Sequence, residues 1–228
     1  MRKFAVTAAC VAFAGVALAA PAQAYDRDLY SYAAGHMIEQ SDIPASLAVK
    51  KGADFSAFPT TGKAYLCGDE NKSIEYAGGD YQFSMSFTGR KKRMGVQVSV
   101  NYYPSSTAAI RAFNDLKKKL QECVGAANGQ NTFEDGSVDT WSRLTTSGNV
   151  PSVTVAGVSS VFLNQNYDDV TTGTFNDRYG SDQYNVFTLV NNVIINTSHA
   201  TGSELNMSTK ERRAVNQVAF NAVTRWVD

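Results

Sequence analysis

The chain has 228 residues, of which 43% are hydrophobic, 11% aromatic and 18% charged, with 21 Lys and Arg against 21 Asp and Glu. This balance excludes intrinsic disorder, which needs fewer apolar residues and more net charge. It also excludes a nucleic-acid binder working through bulk positive charge, and the length suits one domain with a sizeable core.

Arg2 and Lys3 precede an uncharged, Ala- and Val-rich run that closes on Pro21-Ala22-Gln23-Ala24. A positive head, an apolar stretch and a small-residue cleavage site form a secretory signal peptide. Residues 1–24 are therefore expected to be removed after Ala24, leaving residues 25–228 as a single secreted domain. Two alternatives are an uncleaved anchoring helix, since the run is nearly long enough to span a bilayer, and a lipoprotein modified at Cys10, whose preceding Thr7-Ala8-Ala9 lacks an upstream Leu. Cleavage takes Arg2 and Lys3 from a chain of zero formal charge, so the mature net charge is −2. It also takes Cys10, and the remaining Cys67 and Cys123 are expected to pair in an oxidising compartment.

Along the mature chain, Leu29, Ala33 and Met37 recur at helical spacing and predict a helix over 26–40, ended by Ile43-Pro44. Residues 50–63 read as loop, with Phe55 and Phe58 as pegs into the core, and short strands follow near 64–67 and 73–77. In 81–88 the residues Tyr81, Phe83, Met85 and Phe87 alternate with polar ones; in 95–103 Val96, Val98, Val100 and Tyr102 do the same. Period two with one apolar face predicts an antiparallel hairpin, turning at Gly89-Arg90-Lys91-Lys92-Arg93. A helix follows with Ser106 as N-cap and a buried stripe of Ala109, Phe113, Leu116, Leu120 and Cys123, closed by Gly125. Residues 128–151 read as polar and turn-rich with a weak strand at 138–145, and 167–182 as a long polar loop. A second hairpin over 184–190 and 193–199 turns through Asn191-Asn192. Ser208-x-x-Glu211 is a capping box for a last helix with Val215, Val218, Ala219, Ala222 and Trp226 on its apolar stripe. Hairpin turns rather than helical crossovers join the best strands, so the fold class expected is α+β: an antiparallel sheet with helices packed on it, in a single disulfide-tied domain.

No motif for a nucleophile elbow, phosphate loop or zinc helix occurs, no cofactor or metal is expected, and no catalytic residue is assigned. Asp168, Asp169 and Asp177 share the long loop; they fit no EF-hand spacing, but two carboxylates can divide acid and base roles. The same loop holds Tyr167, Asp168, Arg178 and Tyr179, which are the candidate ligand-binding residues of an aromatic and polar cleft. Arg90, Lys91, Lys92 and Arg93 form the one concentrated charge feature. They read either as a solubilising hairpin tip or as a contact for an anionic envelope surface.

Ser41-Asp42-Ile43-Pro44, the helix carrying Ala109 to Cys123, Tyr184-Asn185-Val186-Phe187, Asn192-Val193-Ile194-Ile195 and the closing amphipathic helix together resemble the secreted and lipoprotein sensor-domain proteins of actinobacteria. These are related to the extracellular domain of PknH-type receptor kinases. The resemblance spans the mature chain and implies a curved antiparallel sheet with helices, disulfide-tied, around a cleft for an external ligand. The chain departs from it in offering one disulfide where the kinase domains have two, and in carrying no kinase domain. The expected function is a secreted cell-envelope ligand-binding or sensor-like module, monomeric, for a small molecule, lipid, glycan or peptide of the envelope. An envelope hydrolase using the loop carboxylates and a structural or host-interaction surface protein are the alternatives.

Overall fold

Alternation of apolar and polar residues places the centre of the fold. A computed structural model describes residues 27–59, 63–65, 73–75, 80–90, 93–150, 158–173, 177–202 and 206–227. Residues 1–24, the expected signal peptide, and Cys67 lie outside the described residues. The predicted hairpin is present as β4 (Tyr81–Thr88) and β5 (Arg93–Tyr102), and the second as β9 (Asp177–Val190) and β10 (Val193–Thr201), turning at Asn191 with φ of 49°. The preceding strands are β1 (Asp54–Pro59), where a loop is predicted, and the small pair β2 (Lys63–Tyr65) and β3 (Ser73–Glu75). Between the hairpins lie β6 (Gly125–Thr132), β7 (Val138–Asn149) and β8 (Ser160–Thr172). All but β2 and β3 join one antiparallel sheet in the order β1-β4-β5-β10-β9-β8-β7-β6.

The helices lie on both faces of this sheet. On one face, α1 (Arg27–His36) and α3 (Thr209–Val227) pack Ala33, Val215, Val218, Ala222 and Trp226 against Phe83, Val98, Val186 and Ile195. The predicted capping box opens α3: the Ser208 amide donates to Glu211 Oε2 at 2.9 Å, and the Glu211 amide to Ser208 Oγ at 3.2 Å. On the other face α2 (Ser106–Glu122) packs Ala109, Phe113, Leu116 and Leu120 against Val161, Leu163, Phe187 and Ile194. Its N-cap is Ser105, one residue before the predicted Ser106, and Ser105 Oγ accepts from the Ala108 amide at 3.2 Å.

Two expectations are corrected. The fold is not the expected α+β arrangement: a single eight-stranded antiparallel sheet dominates it, with three α-helices among the described residues laid on its faces. The polar stretches 128–151 and 167–182, read as mostly loop, are largely strand, because β6 to β9 run on past the core with polar side chains on both faces and so lose the alternation that marks a half-buried strand. The expected pairing of Cys67 with Cys123 lies outside the described residues, because Cys67 does; Cys123 follows α2, partly buried, with Sγ 3.3 Å from the Lys119 carbonyl oxygen.

Asp182, only 2% exposed, fastens the start of α3 to the sheet. Its carboxylate accepts from the Met207 amide and from Asn166 Nδ2, each at 2.7 Å, and pairs with Arg212 at 3.4 Å. Hydrogen bonds to a buried charge contribute more than neutral ones, and losing them strands their donors. Asp182→Ala should therefore lower unfolding free energy by about 2–4 kcal/mol in urea titration. A loss below about 0.5 kcal/mol would show that α3 is held by its apolar stripe alone.

Candidate ligand groove

Strand register builds a site on the α2 face, beyond the reach of α2. Along β8 the residues facing α2 are Val161 and Leu163; two residues further the same face carries Gln165, then Tyr167, Asp169 and Thr171. Antiparallel pairing extends each of these into a rung across the neighbouring strands. Thr145, Gln165 and Gln183 form one rung; Arg143, Tyr167 and Ser181 form the next. Trp141 pairs with Asp169, and Asp139 with Thr171. The strand β6 adds Gly129 beside Trp141 and Asn131 beside Asp139. Side chains two apart share a face, so the odd-numbered residues of four strands converge on one groove of about 490 Å³, lined by Asn131, Asp139, Trp141, Arg143, Gln165, Tyr167, Ser181 and Gln183.

The chemistry within the groove is mixed. Tyr167 donates its phenolic hydrogen to Asp169 Oδ2 at 3.0 Å. Burial, that hydrogen bond and the nearby Asp169 and Asp139 charges push its phenol up to about 12, against a smaller opposing pull from Arg143. A hydrogen bond shared with the Asp139 side chain, followed by burial, holds the Asp169 carboxyl above the usual carboxylate range. Asp169 Oδ1 is buried and meets no donor among the described residues. Thr171 Oγ1 in turn donates to Asp139 Oδ1 at 3.2 Å.

The candidate residues read from the sequence are divided by the pleat. Tyr167 lies in the groove. Asp168, its neighbour, faces the opposite side, where Arg178 holds it through Nε at 3.0 Å and Nη2 at 2.8 Å; that guanidinium keeps the Asp168 carboxyl below its ordinary range. Tyr179 is the register partner of Asp169. Asp168 and Asp169 therefore point to opposite faces, and the carboxylate neighbour of Asp169 is Asp139 rather than Asp168. Arg90 is exposed at the tip of the first hairpin, Lys91 and Lys92 lie outside the described residues, and Arg93 opens β5. Following register from Thr88 through Gly95, Ala200 and Gln183 puts this turn at the same end of the sheet as the groove.

Sequence reading missed Asp139, Trp141 and Arg143. Their own spacing, i, i+2 and i+4 within the predicted weak strand, is the signal that places them on one face. The two histidines are not in the groove lining: His199 is 1% exposed with Nδ1 2.6 Å from the Gly95 carbonyl oxygen, and His36 stacks on Tyr32. Among the described residues no helix is long and apolar enough to cross a membrane, and no group of three metal-ligating side chains occurs.

No family model matches the chain, and no curated protein does. Among solved structures it is similar to the extracellular domain of PknH from Mycobacterium tuberculosis, at 10% identity and a TM-score of 0.49, covering 84% of this chain and 94% of that one.

The carboxyl pair sets a pH dependence. Asp169 binds its proton more tightly folded than unfolded, so across the carboxylate range the folded state holds more protons and stability falls as pH rises. Asp169→Asn keeps an oxygen for the Tyr167 hydroxyl and removes the repulsion with Asp139. It should be more stable than the parent at pH 7 by roughly 0.2–1 kcal/mol, the range of a cross-strand charge pair. That advantage should fade as pH is lowered through the unfolded carboxylate value near 4. An advantage independent of pH in thermal melts would contradict the paired assignment.

Proposed function

We propose that the chain is an exported ligand-binding, sensor-like module of the cell envelope, and that its ligand occupies the groove on β6–β9. The observation that carries this reading is the convergence of eight partly exposed polar and aromatic side chains, from four adjacent strands, on one face left bare by α2. A concave site of about 490 Å³, with a few placed polar groups beside aromatic walls, is the usual form of a small-ligand pocket. The signal-peptide pattern of residues 1–24 supports export, and the sequence resemblance to secreted sensor domains agrees with a binding role.

Of the three carboxylates behind the hydrolase alternative, Asp168 is turned away from Asp169 and tied to Arg178, which speaks against that pair. A surface-interaction role without a small ligand is separated by experiment. Thermal melts against a panel of envelope glycans, lipids and peptides, with native mass spectrometry of the purified chain, test the binding reading. A ligand at a hundredfold excess over its Kd stabilises the folded state by about 2.7 kcal/mol, a rise of roughly 5–10 °C for a domain of this size. Tyr167→Ala should abolish that rise. A flat panel with no retained mass would contradict the proposal.

A further inference from the structure

The groove lining also selects a ligand class, an inference that rests on the binding reading above. Gly129 stands directly opposite Trp141, and a Cβ there would fall 2.5 Å from Trp141 Cζ2 and 2.6 Å from Cε2. The indole thus fills the space over Gly129 and lies across the edge strand, partly exposed at the groove. The absent side chain is what makes the platform possible. Around it, Asn131, Gln165 and Gln183 bring amides that each donate and accept, while Asp139 accepts and Arg143 donates.

Other ligand classes fit this lining poorly. A phosphate or anionic headgroup would meet two carboxylates, Asp139 and Asp169, against Arg143 as the one cation among the described lining residues. An acyl chain would find no aliphatic side chain among the described lining residues. An extended peptide binds by adding to a free strand edge; the backbones of β7 and β8 under the groove are paired on both sides, which leaves a peptide only the outer edge of β6, at the rim of the groove. A saccharide has what the lining complements: a C–H face to lie on an aromatic ring and a rim of hydroxyls that both donate and accept. We infer that the groove binds a hydroxyl-rich saccharide, stacked on Trp141 and hydrogen-bonded by the amide and charged side chains around it.

The chain has two tryptophans, so Trp226→Phe leaves Trp141 as the sole indole reporter. Trimers of a hexose, an N-acetylated amino sugar and a pentofuranose are titrated into it, beside a peptide pool and neutral phospholipid micelles. At least one saccharide should change the Trp141 emission saturably. Isothermal titration of the unaltered chain reads the same binding without relying on that variant. Trp141→Ala should weaken it at least tenfold. Gly129→Ala, whose backbone is not in the left-handed region, should displace the indole and weaken binding at least threefold with the fold intact by circular dichroism. Saccharide binding unchanged in Trp141→Ala overturns the inference. Emission changes with peptide or lipid but with no saccharide also overturn it, while leaving the groove a binding site. No response to any probe, in emission or heat, removes both.

Discussion

Strands β7, β8 and β9 outrun the helix that covers them, and the rest of the architecture follows from that mismatch. β9 has 14 residues, about 46 Å of extended chain, whereas α2 lies across the strands and shields a band only about 10 Å wide. Within the band the face is apolar: Val161, Leu163, Phe187 and Ile194 meet Phe113 and Leu116. Outside it the same face must be tolerable to water, so polar and amphipathic side chains replace aliphatic ones from Gln165 onward. The sheet needs no second helix there because antiparallel pairing already satisfies its backbone. What remains is a rigid, wet platform whose side-chain positions are set by strand register rather than by loops.

That rigidity bears on function. Binding residues held on paired strands keep their spacing without a ligand, which reduces the ordering cost of association. The groove also holds some unfavourable electrostatics: two carboxyls close enough to share a hydrogen bond and a tyrosine that resists ionisation. Such groups destabilise a bare surface slightly and are relieved when hydroxyls or donors replace water around them. On the opposite face, Asp182 spends its charge differently, fully occupied by Met207, Asn166 and Arg212 in fixing α3. One carboxylate is structural because donors converge on it; the other two are available because few donors do.

How much of this was legible in the sequence depended on burial. The hairpin of Tyr81–Thr88 and the stripes of α2 and α3 could be read directly, since each buries one face and shows a clean period of two or near 3.6 residues. Gly52, Pro59 and Gly62 around Phe55 and Phe58 predict a loop, yet pairing with β4 makes Asp54–Pro59 an edge strand. The far ends of β6 to β9 were hidden for the opposite reason: with water or polar neighbours on both sides, neither face is apolar. Treating 167–182 as a loop grouped Tyr167, Asp168, Arg178 and Tyr179 by proximity in the chain. Once the segment is two paired strands, the pleat separates Tyr167 from Asp168, and cross-strand partners such as Arg143 matter more than sequence neighbours.

The central claim is that ligand recognition happens on the part of the sheet that α2 leaves bare. Amide-resolved nuclear magnetic resonance of the purified chain, titrated with a mixture of soluble cell-envelope oligosaccharides, tests it most directly. The account predicts shifts concentrated at Asn131, Trp141, Tyr167 and Gln183, and in the Trp141 indole resonance, with β4, β5 and α3 unmoved. Shifts confined to the first hairpin, or to α1 and the end of α3, with the Trp141 region silent, would contradict it.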